Sequence, residues 1–79
     1  MLSKADVLAL VARALGVAKV DEESSMENVV GWDSLAHLGL LTALDEATGG
    51  SAAGIDELAG ATSVREILAL LASRKLLAG

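Results

Sequence analysis

The chain of 79 residues carries a formal net charge of −5 at pH 7 and contains neither cysteine nor proline. Although 53% of its residues are hydrophobic, Trp32 is the only aromatic one, which predicts a single helical domain with an aliphatic core. This composition excludes disulfides and thiolate metal sites, and it offers no aromatic platform for nucleic-acid bases.

The first predicted helix runs from Lys4 to Leu15. Ser3 is its expected N-cap, Asp6 stands at the capping-box position, and Gly16 follows its end. Five apolar residues recur at helical spacing and are predicted to face the core: Val7, Leu8, Val11, Ala14 and Leu15.

A long connection, residues 17–32, separates this helix from the next. Four apolar residues are predicted to hold it against the core: Val20, Met26, Val29 and Val30. Its acidic residues Asp21, Glu22 and Glu23 lack the alternating ligands and turn glycine of an EF-hand loop, so we expect no metal site. Trp32 either lines a pocket or covers the end of the core, and we favour the second role.

The second helix is predicted to begin at Ser34, with Asp33 as its N-cap, and to end before Gly49 and Gly50. A hydroxyl on the first turn of a helix stands out from the surface. A phosphate on that hydroxyl would lie beside the positive end of the helix and its unpaired N–H groups. Ser34 is therefore suited to carry a phosphodiester.

At about 100° per residue, this helix has two distinct faces, with Leu41 at their border. The serine face comprises Ser34, Leu35, Leu38, Gly39, Thr42, Asp45 and Glu46. The predicted core face comprises Ala36, Leu40, Ala43, Leu44 and Ala47. Exposed leucines in so small a domain indicate a surface that something else covers.

The rest of the chain predicts a flexible loop over residues 50–54, a helix of about one turn over residues 55–59, and a last long helix. Ser63 and Glu66 form the capping box of that last helix, and Arg74 and Lys75 lie at its end. Its inward residues are Val64, Ile67, Leu68 and Leu71, with Leu70 at the edge. The expected fold is all-α, with three long helices and one short helix.

The charges are segregated along the chain: residues 20–64 contain nine carboxylates and no lysine or arginine. This is either a solvated acidic surface or a negative patch that attracts basic partners. Nucleic acid is not an expected partner, since its phosphates would be repelled. No apolar run approaches the ~20 residues of a membrane span and no secretory signal is present, so we expect a cytoplasmic monomer without a membrane partner.

Catalysis is not expected of this chain. Ser34 and His37 are three residues apart on one helix, but a serine nucleophile also needs a group that orients the base and a site for the oxyanion. We expect His37, the single histidine, to be either a partly buried, hydrogen-bonded residue or a neighbour of a phosphate on Ser34.

The segment Asp33-Ser34-Leu35, followed by Leu38, Leu40 and Ala43-Leu44-Asp45-Glu46, resembles the attachment segment of the acyl carrier protein family. In that family the serine carries 4′-phosphopantetheine, so the resemblance implies a four-helix carrier domain, not an enzyme, over residues 1–79. Asp33 and Leu35 would flank the cofactor on Ser34. An acyl or aminoacyl group would be carried on its thiol as a thioester.

The resemblance also implies the partners. A phosphopantetheinyl transferase would use magnesium and coenzyme A to modify Ser34, and acyl- or aminoacyl-loading and condensing enzymes would then bind the carrier. The predicted partner surface comprises Leu35, Leu38, Thr42, Asp45, Glu46, Asp56 and Glu57.

Some positions depart from the pattern of fatty-acid carriers. Ala36 and Gly39 stand where carboxylates are usual, and Thr48 stands where a bulky aromatic residue is common. Trp32 before the motif and His37-Leu38 after it resemble carriers of polyketide or peptide-type pathways, and a fatty-acid role stays open. The alternative function is a small non-enzymatic interaction module that binds a partner through Leu35 and Leu38.

Overall fold

The computed structural model describes residues 2–78, and within them the chain is all-α, with isolated bridges but no strand. The helices are α1 (Lys4–Leu15), α2 (Ser34–Ala47) and α3 (Val64–Ser73). Two short 3-10 segments, Ser51–Gly54 and Asp56–Gly60, lie between α2 and α3. The helix of about one turn predicted over residues 55–59 is a 3-10 helix over Asp56–Gly60, and most of the predicted flexible loop forms the 3-10 segment Ser51–Gly54.

The helix ends lie where their caps predict. At the start of α1, the Ser3 hydroxyl accepts from the Asp6 N–H and the Asp6 carboxylate accepts from the Ser3 N–H, both at 3.0 Å. The Ser63 hydroxyl caps α3 by accepting from the Glu66 N–H. The predicted capping box of α3 is wrong in one detail: the Glu66 carboxylate accepts from the N–H of Thr62, at 3.0 Å, and not from that of Ser63.

One hydrophobic core joins the helices, the long connection and the short segments. Its buried members are Val7, Val11, Trp32, Leu40, Leu44, Ala52, Ile55, Leu58, Ala61, Val64, Ile67, Leu68 and Leu71. The inward stripe predicted for α3 is confirmed, and the remaining residues predicted for α1, Leu8, Ala14 and Leu15, pack partly buried against the same core. Of the two roles predicted for Trp32, the structure favours the packing role, because its side chain is buried in this core.

Two predictions about the core are wrong. Val30 is 95% exposed, since it occupies the corner of a turn closed by a hydrogen bond from the Trp32 N–H to the Val29 carbonyl. Ala47, at the last turn of α2, is also exposed, because the core ends one turn earlier at Leu44. The other apolar residues of the connection do pack against the core as predicted: Val20, Met26 and Val29.

The connection between α1 and α2 is ordered by backbone hydrogen bonds to the segment that precedes α3. The Met26 N–H donates to the Thr62 carbonyl, and the Val64 N–H donates to the Ser24 carbonyl, both at 2.9 Å. These bonds anchor the middle of the connection to α3. The start of α2 is therefore positioned by two sets of contacts: its packing against the core and the anchored connection that precedes it. Across residues 2–78, none of the helices has both the length and the apolar character to cross a membrane.

Candidate functional site

Ser34 is the first residue of α2, and its side chain is exposed. Asp33 fixes this position because its carboxylate accepts from the Ala36 N–H at 2.9 Å, and its carbonyl accepts from the His37 N–H, also at 2.9 Å. The N–H groups of Ser34 and Leu35 point along the helix axis and have no acceptor within the helix. The Ser34 hydroxyl is thus presented to solvent at the positive end of the helix.

Ser34 borders an apolar cleft of about 250 Å³. The cleft is lined by Met26, Ser34, His37, Leu38, Leu41 and Ala59. A second groove of about 540 Å³ lies between α2 and the short segments, and it shares Leu41 and Ala59 with the cleft. Because the two cavities adjoin, a largely apolar groove leads from the serine along α2.

His37 is 5% exposed and links two elements through its ring. The Trp32 Nε1–H donates to His37 Nδ1 at 3.1 Å, so Nδ1 must be the unprotonated nitrogen of the neutral ring. Nε2 then carries the proton and donates to the Leu58 carbonyl, 2.9 Å away. Both ring nitrogens are engaged, which leaves neither of them to accept a proton from Ser34. Of the two predicted roles of His37, the buried, hydrogen-bonded residue is confirmed.

The link between Trp32 and His37 was not predicted from the sequence. The two rings stack with centroids 6.1 Å apart and planes 21° from parallel. Their positions relative to the Asp33 cap are those of a hydrophobic staple, in which the residue before the N-cap packs on the fourth helical residue. The five-residue spacing could therefore have predicted the contact between Trp32 and His37 from the sequence. The hydrogen bond from His37 to Leu58 joins residues 21 apart, and no local pattern predicts it.

The structure brings together only part of the predicted partner surface. Leu35 and Leu38 are 78% and 61% exposed, as predicted, beside Ser34. Thr42, Asp45 and Asp56 all line the groove that continues from the serine cleft. In addition, the Asp45 carboxylate accepts from the Ala53 N–H at 3.2 Å, so it also holds the first short segment.

Two predicted partner residues stand apart from that groove. Glu46 lines a different groove, between α1 and α2, together with Arg13. Glu57 pairs with Arg74 at 3.6 Å. The structure therefore places Glu46 on another side of α2 and gives the Glu57 carboxylate an internal partner.

The basic residues of the chain ends neutralise part of the acidic middle. Ion pairs join Lys4 to Glu22, Arg65 to Glu23 and Arg74 to Glu57. All three pairs are solvent-exposed, so each contributes little to stability. The paired carboxylates lie in the connection and in the second short segment. None of the three pairs involves an acid of α2 or its cap, so these pairs leave the negative charge beside Ser34 unneutralised.

Comparisons with known proteins identify no relative of this chain. No protein-family model matches the chain, and no curated protein or solved structure matches it significantly. Within residues 2–78, no group of three or more histidine, aspartate or glutamate side chains is arranged to hold a metal ion.

Proposed function

We propose that this protein is a carrier of the acyl carrier type, which holds an acyl or aminoacyl group as a thioester on 4′-phosphopantetheine attached to Ser34. The observation that carries the proposal is the exposed hydroxyl of Ser34 at the capped start of α2, next to an apolar groove. The enzymes that attach the cofactor, load the carrier and condense its cargo are separate proteins in this proposal.

The attachment step needs only a nucleophile from this chain. The Ser34 oxygen forms a bond to the phosphorus that bears the pantetheine arm in coenzyme A, and the pyrophosphate P–O bond breaks. Adenosine 3′,5′-bisphosphate leaves, and the hydroxyl proton passes to a base of the transferase. Both nitrogens of His37 are already hydrogen-bonded, so His37 is not that base, and in this proposal the transferase supplies it.

The residues around Ser34 fit such a group. The phosphodiester charge would lie at the positive end of α2, where an anion is stabilised by about 0.3–1 kcal/mol. The Asp33 carboxylate is engaged with the Ala36 N–H, so its role is to hold the start of the helix. When bound, the group supplies a thiol on a flexible arm. Leu38 and Leu41 provide an apolar wall beside the attachment point.

The proposal also gives the short segment before α3 a counterpart in the carrier fold. In the carrier family a short helix lies between the serine helix and the last helix, and the Asp56–Gly60 segment occupies that place here. We therefore interpret the three α-helices and this segment as the four-helix arrangement of a carrier. A cytoplasmic location and a pathway of polyketide, peptide or fatty-acid type complete the proposal.

A second function is supported by a separate observation, the exposure of Leu35 and Leu38. A non-enzymatic helical module would use these leucines to bind another protein, with Ser34 as an ordinary first-turn residue. The two functions differ in one chemical property, because only the carrier requires a modified serine.

Mass spectrometry of the intact protein tests the proposal directly. After incubation with coenzyme A, magnesium and a broad-specificity phosphopantetheinyl transferase, the mass should rise by one phosphopantetheine group, and fragmentation should place it on Ser34. Ser34→Ala should remain unmodified. Ser51→Ala is the matched control. Like Ser34, Ser51 is exposed and is the first residue of its element, here the 3-10 segment Ser51–Gly54. Modification of the Ser34→Ala variant, or no modification of the wild-type chain, would contradict the proposal.

A further inference from the structure

We propose that the groove between α1 and α2 is the interface of a weak symmetric dimer, in which Arg13 of each copy pairs with Glu46 of the other copy. The groove is separate from the cleft beside Ser34, so the dimer does not depend on the proposed carrier function. It replaces the monomer expected from the sequence with a reversible association of two chains.

The groove has a volume of about 420 Å³ and draws its lining from both helices. It carries one charge from each of them, Arg13 from α1 and Glu46 from α2. The rest of its lining is small or apolar: Leu10, Ala14, Gly39, Ala43 and Ala47. None of these residues lines the two cavities that lead away from Ser34. A partner seated between α1 and α2 therefore leaves the serine accessible.

The two charges of the groove are available to a partner. Both side chains are exposed, and neither takes part in the three ion pairs found within residues 2–78. A surface that carries one available charge of each sign attracts a partner that presents the same two charges in the opposite arrangement.

A second copy of the chain supplies that arrangement. In a two-fold symmetric interface one patch meets itself, so a contact from one residue to another is repeated in the reverse direction. Arg13 then pairs with Glu46 of the second copy and Glu46 pairs with its Arg13, with the apolar residues between them. Other partners fit less well, because Arg13 would repel a uniformly basic surface and Glu46 would repel an acidic surface or a nucleic acid.

The net charge of −5 is compatible with this contact. Arg13 and Glu46 cancel each other within the groove, whereas Asp45 and Asp56 line the serine groove instead. At physiological salt, charges further apart than about 8 Å are largely screened. The acids outside the interface therefore repel the second copy only weakly.

Gly39 indicates that another chain approaches α2 closely at this groove. A glycine inside a helix costs about 1 kcal/mol relative to alanine, and Gly39 lies in the interior of α2. Among residues 2–78, an added Cβ at Gly39 would meet no atom of another part of the chain within 4 Å, so internal packing does not require the glycine. Ala43 and Ala47 follow at four-residue spacing on the same helix face. These small side chains leave room for the backbone of a second copy.

Sedimentation equilibrium of the full chain tests the dimer. The patch is small, so we expect a dissociation constant of about 0.1 mM. Arg13→Glu or Glu46→Arg alone should raise that constant about tenfold or more, because symmetry places two like-charged pairs in the interface for each substitution. The double variant restores opposite charges and should return the constant to within about threefold of the wild-type value. Gly39→Leu fills the groove and should also weaken the dimer.

Two matched controls change the net charge by the same amounts at exposed positions outside the groove: Lys19→Glu and Glu27→Arg. Both should leave the dissociation constant nearly unchanged at about 0.15 M salt. Arg13 also lies in the last turn of α1, where a positive charge favours the helix end, so thermal unfolding of each variant is measured as well. The double variant carries the same change at that position, and recovery of its dimer excludes a folding defect as the cause.

The outcomes are distinct from those that test the carrier function. A wild-type chain that stays monomeric at about 1 mM overturns the dimer and leaves the groove to another protein or to solvent. A dimer that the single charge reversals leave intact uses a different surface, which also overturns the inference. A double variant that stays as weak as the single ones refutes the pairing of Arg13 with Glu46. Modification of Ser34 is measured separately by mass spectrometry, so either proposal can fail while the other stands.

Discussion

Replacing His37 with leucine should destabilise the fold strongly, although leucine is apolar and similar in size. In the native protein the ring accepts from the Trp32 indole N–H and donates to the Leu58 carbonyl, and all three residues are buried. His37→Leu leaves that N–H and that carbonyl without their partner. A buried polar group that loses its partner costs about 1–3 kcal/mol, so two of them predict a loss of about 2–6 kcal/mol.

That loss is large for this chain. At about 0.05–0.15 kcal/mol per residue, a domain of this length has a free energy of unfolding of about 4–12 kcal/mol. Each kcal/mol lowers the thermal midpoint of so small a domain by about 4–8 °C. Urea titration followed by circular dichroism provides the free energy. Fluorescence is less suitable, because Trp32, the only fluorophore of this kind, contacts the mutated side chain.

A double variant measures the energetic coupling between Trp32 and His37. Trp32→Phe removes the indole donor and keeps an aromatic ring, so combining it with His37→Leu removes one of the two groups that the single change leaves unpaired. The double variant should therefore lose less stability than the sum of the two single changes, with a coupling of about 1 kcal/mol or more. A His37→Leu variant that loses under 1 kcal/mol, or two changes that simply add, would refute the account of the buried link.

Three further predictions concern charges. Asp33→Ala should lower the free energy of unfolding by about 1 kcal/mol in urea titration, because the α2 cap is lost, whereas Asp33→Asn should lose much less. The hydrogen bonds from the Ser3 N–H and hydroxyl lower the pKa of Asp6 below 3.8, so its contribution to stability is complete above that pH and is lost as the pH falls through the lowered value. Unfolding midpoints measured from pH 5 to about pH 2 should fall less steeply for Asp6→Asn than for the wild-type chain, and equal slopes would contradict this. If basic partners approach along the serine groove, Asp56→Lys should slow loading of Ser34 at low salt more than Glu46→Lys does, and the difference should disappear near 1 M salt, where charges are screened beyond about 3 Å.

The local signals of the sequence determined the helices and the position of the candidate serine. The hydrogen bonds that cap α1 and α2 join residues three apart, so Ser3 with Asp6 and Asp33 with Ala36 are sufficient to predict where these helices begin. The same local rule places Ser34 on the first turn, and the 3.6-residue period places Leu35 and Leu38 away from the core. These features depend on a few neighbouring residues, and the structure confirms them.

Only the tertiary structure decided what surrounds the serine. The His37 ring is buried because the Leu58 carbonyl, 21 residues away, supplies its second partner. The cleft beside Ser34 exists because Met26 and Ala59 are brought to α2 from different segments. Val30 is exposed because a backbone turn, and not its own hydrophobicity, sets the direction of its side chain. Each of these depends on contacts between residues distant in sequence or on the path of the backbone, which a short pattern of residue types does not specify.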